Sequence, residues 1–373
     1  METYRLSSKL VEDSREFIIQ TANDAKVATV MSTVLVDGDV AEMSKTPHPI
    51  EYTPGEVLSL VKSAHDEKKR EVEAMLHSYR AVLKVGDAQA LYQLGTAFFY
   101  KSFLSEARQL FNAAIGLDAD YHQAYNYISV TELASGNLDA AVRAAKVAVD
   151  MSPGFADYHY NLGHAYLAMK SCRKAVTEFE EAIRVNLYYG DAYFSLGLAL
   201  LKNALTQDDT GLFASVLTRT TDNLKKAAII DPEYDTEVLS EGIKAIEGSD
   251  LPVAYALLSK AFQDKKARRF RELAAYYMKY VYAHDDLSEP TLNNRIQFLE
   301  DELRKNPSYV DLHVELSTCY FNRARFAWQH GIEHYRKALD INPSLNKLGE
   351  NLDIAEEESQ NINTVVDKVS QGR

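Results

Sequence analysis

The sequence predicts a mostly α-helical stack of copied hairpins, preceded by a small antiparallel β-meander packed on a long helix. Three observations predict it. Gly95, Ser129, Gly163 and Gly197 stand 34 residues apart, each preceded by a large aliphatic residue (Leu94, Ile128, Leu162, Leu196). Ala107, Ala141 and Ala175 keep the same step, as do Ala114, Ala148 and Ala182. Before residue 50 this period vanishes and β-branched residues crowd together. A fixed period with small and large apolar residues at set offsets marks one supersecondary unit, copied and stacked.

Taken in order, Phe17–Thr21, Val27–Val36 and Val40–Lys45 read as three strands, with Asp37-Gly38 as a tight turn. Three strands need a helix across one face to be stable. Thr53-Pro54-Gly55-Glu56 announces that helix: a capping hydroxyl, proline in the first turn and a glutamate three residues on. Val57, Leu60 and Val61 would cover the strands. Lys62 to Glu71 is nearly all polar, and Val72, Met75, Leu76, Tyr79 and Val82 would cover the first repeat.

In each copy, one helix carries large-x-x-Leu-Gly-x-x-aromatic and the next carries Ala-x-x-x-large-x-x-Ala. In the first copy these are Leu91, Leu94, Gly95 and Phe98, then Ala107, Phe111 and Ala114. Spacings of three and four put each set on one face. Small residues let two helix backbones approach, and large ones fill the grooves beside them. Gly136 suits a left-handed turn between helices, and Pro153 ends a second helix. This pattern resembles the tetratricopeptide repeat family over 88–121, 122–155 and 156–189. Ser129, Glu132, Ala145 and Leu200 depart from its consensus slots. The resemblance implies a right-handed superhelix of helical hairpins.

A fourth copy begins at Gly190, with Tyr193, Leu196 and Gly197. Its second half resumes at Leu224, Ala227 and Pro232, 11 residues late, so 206–221 holds an insertion, either a lengthened helix pair or a surface loop. Beyond it, Glu237–Ile246 pairs with Val253–Phe262 around Gly248-Ser249, and Phe270–Tyr282 pairs with Leu292–Leu303, closed by Asn306-Pro307. A last copy carries Leu316, Tyr320, Tyr335, Ala338 and Pro343, with Gly331 at its turn. A helix from Leu345 to about Glu358 has an acidic face suited to a solubilising cap, followed by a frayed polar tail. The expected organisation is a β-meander over 1–52, a linking helix over 53–86, a repeat array over 87–345, and a cap and tail over 346–373.

Hydrophobic residues at 46% and charged residues at 25% are ordinary for a folded soluble protein. A formal net charge of -13 argues against general binding of nucleic acid or anionic membrane. No apolar run approaches the ~20 residues that span a bilayer, and the first residues carry no secretory pattern. Two distant cysteines, Cys172 and Cys319, make no disulfide framework and favour a reducing compartment, so the cytoplasm is the expected address.

Chemistry is sparse. No phosphate-cradling glycine loop and no nucleophile elbow occurs. Cys172 beside Arg173 has no histidine placed near it, so it reads as an ordinary turn cysteine. His330 and His334 sit four apart without the glutamate of a zinc-protease helix, and read as surface residues. The basic run Lys265 to Arg271 reads first as a solvated helix start, and second as a site for an acidic partner. The expectation is no enzyme, no cofactor and no metal.

The resemblance also implies that the first helix of each pair lines a concave groove. Its slots are Gln89, Tyr92, Thr96, Phe99 and Tyr100; Gln123, Asn126, Tyr127 and Val130; Asp157, Tyr160, Asn161 and His164; and Asp191, Phe194 and Ser195. Tyrosines offer contact area with a hydroxyl, and amides can bond a peptide backbone. The basic residues with which some family members clamp a terminal carboxylate are missing. The expected function is an adaptor that holds an extended, uncapped peptide segment of a protein partner there. Some of these tyrosines could instead pack between repeats. The alternative is a self-assembling structural protein that pairs through a strand edge or a repeat face, as a homo-oligomer.

Overall fold

The computed structural model describes residues 3–12, 14–206, 213–282, 289–305, 310–342 and 345–371. The chain divides into two compact units, Met1–His284 and Asp285–Arg373.

The first unit opens with four strands rather than three: β1 (Arg5–Glu12), β2 (Arg15–Asp24), β3 (Thr29–Val36) and β4 (Asp39–Pro47), paired antiparallel in that order. β1 escapes sequence reading because its inward positions are Leu6, Ser8, Leu10 and Glu12, half of them polar. The structure gives those polar groups partners, Ser8 Oγ with His65 Nε2 at 2.8 Å and Glu12 with Arg80.

Helix α1 (Pro54–Val85) crosses the sheet, with the expected capping box. Thr53 N donates to Glu56 Oε2 at 2.8 Å and Glu56 N donates to Thr53 Oγ1 at 3.3 Å. Val57 and Val61 pack on Val30, while Val72, Met75, Leu76 and Tyr79 join Phe17, Ile19 and Val34 in one core with the first repeat. One side of the polar middle of α1 is packed, at His65 and Lys68. His65 also meets Thr21 Oγ1 at 3.2 Å, and Lys68 bonds Glu42 of β4 at 2.8 Å and Glu71 at 2.6 Å. Lys101, at the end of the next helix, completes a four-membered ion cluster with Glu42 and Glu71. Burial would raise the Glu71 carboxyl, but the charges and hydrogen bonds of Lys101 and Lys68 together hold it below the ordinary carboxylate value.

The repeats follow as helix pairs: α2 (Ala88–Tyr100) with α3 (Leu104–Leu117), α4 (His122–Ala134) with α5 (Leu138–Met151), and α6 (Ala156–Ala168) with α7 (Cys172–Val185). The small slots work as the spacing predicts. A Cβ on Gly95 would sit 2.7 Å from Phe111 Cε1, and one on Gly163 would sit 2.6 Å from Phe179 Cε1. The turn residue takes a left-handed conformation in each copy: Ser102, Gly136 and Lys170, with φ of 61°, 79° and 59°. In the fourth pair, α8 (Gly190–Thr206) and α9 (Phe213–Ile230) are 17 and 18 residues long against 13 and 14 earlier, so the insertion lengthens both helices. The residues between them, 207–212, lie outside the described residues.

After a 3-10 turn at Pro232–Tyr234 comes α10 (Glu237–Glu247), then α11 (Leu251–Tyr282). Here the structure corrects the sequence reading. Val253–Phe262 and Phe270–Tyr282 are one continuous helix, because the stretch between them contains only residues a helix tolerates and no glycine or proline.

The second unit holds α12 (Glu289–Lys305), α13 (Val310–Ile341) and α14 (Asn346–Gln371), with α13 packed on both others. The expected last hairpin is instead the single helix α13. One interior glycine, Gly331, costs a helix only about 1 kcal/mol and does not break it. The expected cap at Leu345 to Glu358 runs on to Gln371, so the tail is helical rather than frayed. Asn306-Pro307 and Pro343 lie outside the described residues. No helix among the described residues is long and apolar enough to cross a membrane.

Candidate partner-binding groove

The first helices of the four pairs, α2, α4, α6 and α8, carry the predicted slots. Side chains link neighbouring copies. Tyr92 packs edge-on against Tyr127 at 5.5 Å between ring centroids, and also touches Phe111 and Tyr121. Asn161 Nδ2 donates to Asn126 Oδ1 at 2.9 Å, and Asn126 Nδ2 donates to Asp157 Oδ2 at 3.2 Å, an amide ladder between α4 and α6. Ser195 Oγ meets His164 Nε2 at 3.2 Å between α8 and α6.

These slots do two different jobs. Thr96 is buried, with its hydroxyl donating to the Tyr92 carbonyl at 2.9 Å, and Tyr160 is buried among His164, Phe179 and Tyr189. Tyr92 and Tyr160 thus link neighbouring copies, as tyrosines of the stack can, while Thr96 bonds back within α2. Gln89 and Gln123 are half-exposed in the first turns of α2 and α4. The Gln123 Oε1 is buried without a hydrogen-bond partner among the described residues.

Five further slots, Phe99, Tyr100, His164, Asp191 and Phe194, face α11. This helix packs against α8, α2 and α1, crossing the concave face from the fourth copy to the first. Phe262 stacks on Phe194 at 5.6 Å and on His164 at 5.7 Å. Lys266 lies over the rings of Tyr160 and Phe262. Phe270 meets Phe99 at 5.5 Å and Tyr100 at 5.0 Å, and Tyr277 stacks flat on Tyr100 at 5.1 Å. Positions 262, 266, 270 and 277 share a helix face spanning about 22 Å. Between the aromatic contacts sits an ionic lock. Lys265 Nζ bonds Asp191 Oδ1 at 2.7 Å and Asp231 Oδ2, and lies 3.8 Å from the centre of the Tyr234 ring. The Tyr234 hydroxyl donates to the same Asp191 oxygen at 2.5 Å, and Arg268 reaches Glu233 at 2.8 Å. The basic run is therefore a docking segment whose acidic partner is this same chain, not a solvated helix start. Sequence reading missed Phe262, Lys265, Lys266, Phe270 and Tyr277 as groove residues. Treating 251–282 as one helix would have put the aromatic ones on a single stripe.

Electrostatics follow the packing. Burial would raise the Asp191 carboxyl, yet the Lys265 charge and hydrogen bonds from Lys265 and Tyr234 hold it below the ordinary value. Burial pushes the Tyr127 hydroxyl well up, reinforced by Tyr100, Tyr277 and Tyr92. Burial, with the Lys266 charge adding to it, holds His164 well below the ordinary histidine value of 6.5, so His164 is neutral in the fold. Burial also lowers His65 and His122, while His159 is raised, chiefly by its hydrogen bond to Glu178. A histidine depressed in the fold contributes stability above its unfolded pKa and loses it as pH falls, because only the unfolded chain then takes the proton. His159 acts in the opposite sense, but His164 has the larger displacement. Urea unfolding should therefore show lower stability at pH 5.5 than at pH 7.5, with a clearly flatter dependence in His164→Phe. An equal slope in that variant would show that His164 does not set it.

Cys172 is the buried first residue of α7, and His330 and His334 are exposed on α13. Among the described residues, no group of three or more His, Cys, Asp or Glu could hold a metal ion.

Comparison with known proteins agrees with this geometry. The tetratricopeptide repeat family profile matches residues 92–156 and 160–220. A curated relative is the chloroplastic tetratricopeptide repeat domain-containing protein PYG7 of Arabidopsis thaliana, 30% identical over 121 residues. The match takes in 31% of this chain and 40% of that protein, so the chain spans well under two thirds of its relative. Among solved structures, MamA is 22% identical, with 44% of this chain and 92% of that one covered and a TM-score of 0.37. YrrB, described as a TPR protein with an unusual peptide-binding site, is 16% identical, with 54% and 97% covered and a TM-score of 0.37. Period, helix pairs and family profile agree that this chain carries tetratricopeptide repeats over residues 92–220, a scaffold typical of protein–protein interaction.

Proposed function

We propose that this protein is a non-enzymatic interaction adaptor whose concave surface receives a segment of a partner protein in exchange for its own α11. One observation carries the reading. The groove slots Phe99, Tyr100, His164, Asp191 and Phe194 already hold a helix through stacked rings and an ion pair. A surface built to take Phe262, Lys265, Phe270 and Tyr277 suits a partner segment with the same aromatic and basic face. The occupant's form favours a helical segment over the extended one expected from sequence. A reducing, cytoplasmic setting fits the two buried thiols, Cys172 and Cys319.

The test uses Phe270→Ser with Tyr277→Ser, which weakens the distal half of α11 and leaves the Lys265 lock intact. A labelled peptide of residues 258–282 should bind this variant at least about tenfold more tightly than it binds wild type. The variant should also retain lysate proteins that excess peptide elutes. Equal peptide affinity for both proteins would sink the exchange reading.

A further inference from the structure

Among the described residues, the second unit carries a helix face that is only partly covered within the unit. Along α13, Val314, Phe321, Trp328 and Tyr335 recur every seven residues and are 44, 43, 40 and 36% exposed. Three positions after each comes a small residue: Ser317, Ala324, Gly331 and Ala338. With the positions one before each large residue (313, 320, 327 and 334), these make one face of the helix. None of its twelve residues is Asp, Glu, Lys or Arg, whereas six of the other fourteen between 313 and 338 are. Contacts within the unit border this face: the Tyr320 hydroxyl, on its edge, reaches Glu300 of α12. On the other faces Cys319 and Ile332 are buried, and Arg336 bonds Glu356 of α14 at 2.8 Å.

Two details of this face bear on what it could meet. The Trp328 indole N–H donates to the Ala355 carbonyl at 2.9 Å, so the ring is held at its edge while two fifths of the residue stays open. Gly331 sits inside a 32-residue helix, where glycine is unfavourable, and a Cβ there would meet nothing within 4 Å. By contrast, Gly95, Gly163 and Gly242 each accommodate a ring or leucine of the next helix. Nothing among the described residues requires Gly331 to be small. A helix backbone approaching from outside would.

We infer that α13 pairs with α13 of a second copy as an antiparallel coiled coil centred near Phe326. A repeat of seven selects a helix as the partner. The residue sizes select a second copy and the antiparallel sense. Turned about a two-fold axis there, Val314 meets Ala338, Phe321 meets Gly331, Trp328 meets Ala324 and Tyr335 meets Ser317 of the other copy. Every large residue faces a small one, in a self-complementary contact of the kind two-fold dimers need. A parallel pair would set Trp328 against Trp328 and Gly331 against Gly331, leaving layers alternately crowded and empty. The seam is about 40 Å long. One helix pair of that length lies near the lower limit of stable interfaces, so the dimer dissociates in the micromolar range.

Sedimentation velocity of the full chain, from sub-micromolar to several hundred micromolar, should show a reversible monomer–dimer equilibrium. Ala324→Glu with Gly331→Glu, which puts carboxylates opposite Trp328 and Phe321, should raise the dissociation constant at least about tenfold with helix content unchanged. The pairing sense is read independently by oxidative cross-linking in the otherwise unaltered seam. Ser317→Cys mixed with Tyr335→Cys should give the mixed disulfide, and Ser317→Cys alone should not. A wild-type monomer at every concentration overturns the inference. So does a dimer indifferent to the two glutamates, or efficient self-cross-linking of Ser317→Cys.

Discussion

Lys265→Ala lowers the stability of the Met1–His284 unit by about 3 kcal/mol, the low end of what is lost when one partner of a buried ion pair is removed. The low end applies because Asp191 keeps some solvent contact while Asp231 has almost none, with side-chain exposures of 24% and 6%. Removal of the ammonium leaves two carboxylates of like charge near one another beside the middle of α11. It also takes the cation from the face of Tyr234, 3.8 Å from the ring centre. The loss is not confined to global stability. Amide hydrogen exchange of α11 should accelerate far more than that of α3, α5 and α7, whose packing does not involve Lys265. Lys265→Met combined with Asp191→Asn and Asp231→Asn should recover most of the loss, since apolar and neutral replacements leave no unpaired buried charge. Uniform acceleration across the unit, or a loss below about 1 kcal/mol as in a surface ion pair, would show that Lys265 does not lock α11 into the groove.

The same residue shows where sequence reading stops. Lys265 finds Asp231 34 positions back and Asp191 74 positions back. Without those partners a run of lysines and arginines between two apolar stretches looks solvated. The partners of β1 are equally distant: Ser8 needs His65 and Glu12 needs Arg80, so a strand whose inward face is half polar gives no alternating signal. Features set by neighbours in sequence were legible. The Thr53–Glu56 capping box, the left-handed turn at Gly136 and the 34-residue step each depend on chemistry within a few positions or on plain repetition. Gly331 marks the boundary. In sequence it resembles the turn glycine of the earlier copies, but good helix formers on both sides carry the helix through it. The groove slots came from the family resemblance, which assigns them to the first helix of each pair. Their occupation by α11 was not legible, because continuity of a helix from 251 to 282 rests on the absence of a breaker rather than on any positive mark.

The second large effect concerns the packing step inside each copy. The small slot and the large slot lie 16 residues apart: Gly95 with Phe111, Gly163 with Phe179, but Ser129 with Ala145. Where the glycine has gained a side chain, the ring opposite has been reduced to a methyl, and both Ser129 and Ala145 are fully buried. The pair therefore behaves as one volume shared between two helices. A Cβ on Gly163 would lie 2.6 Å from Phe179 Cε1 and 2.8 Å from Cδ1, so Gly163→Ser forces the ring or the helix aside and should cost about 3 kcal/mol. Phe179→Ala alone opens a cavity and should cost about 4 kcal/mol. The double variant recreates the second copy's solution. The serine side chain enters space the ring has left, so the combined loss should fall short of the sum by about 1–3 kcal/mol. Gly116→Ala, at a helical glycine with nothing within 4 Å of the added carbon, serves as the control and should be neutral or stabilising by up to about 1 kcal/mol. Chemical denaturation of the four proteins measures the cycle. If the two losses simply add, within about 0.5 kcal/mol, the slots are independent and the exchange in the second copy is not compensation. A coupling of the expected size would mean that the period constrains a sum of volumes across the helix pair, which is why Ser129 can break the glycine rule without breaking the stack.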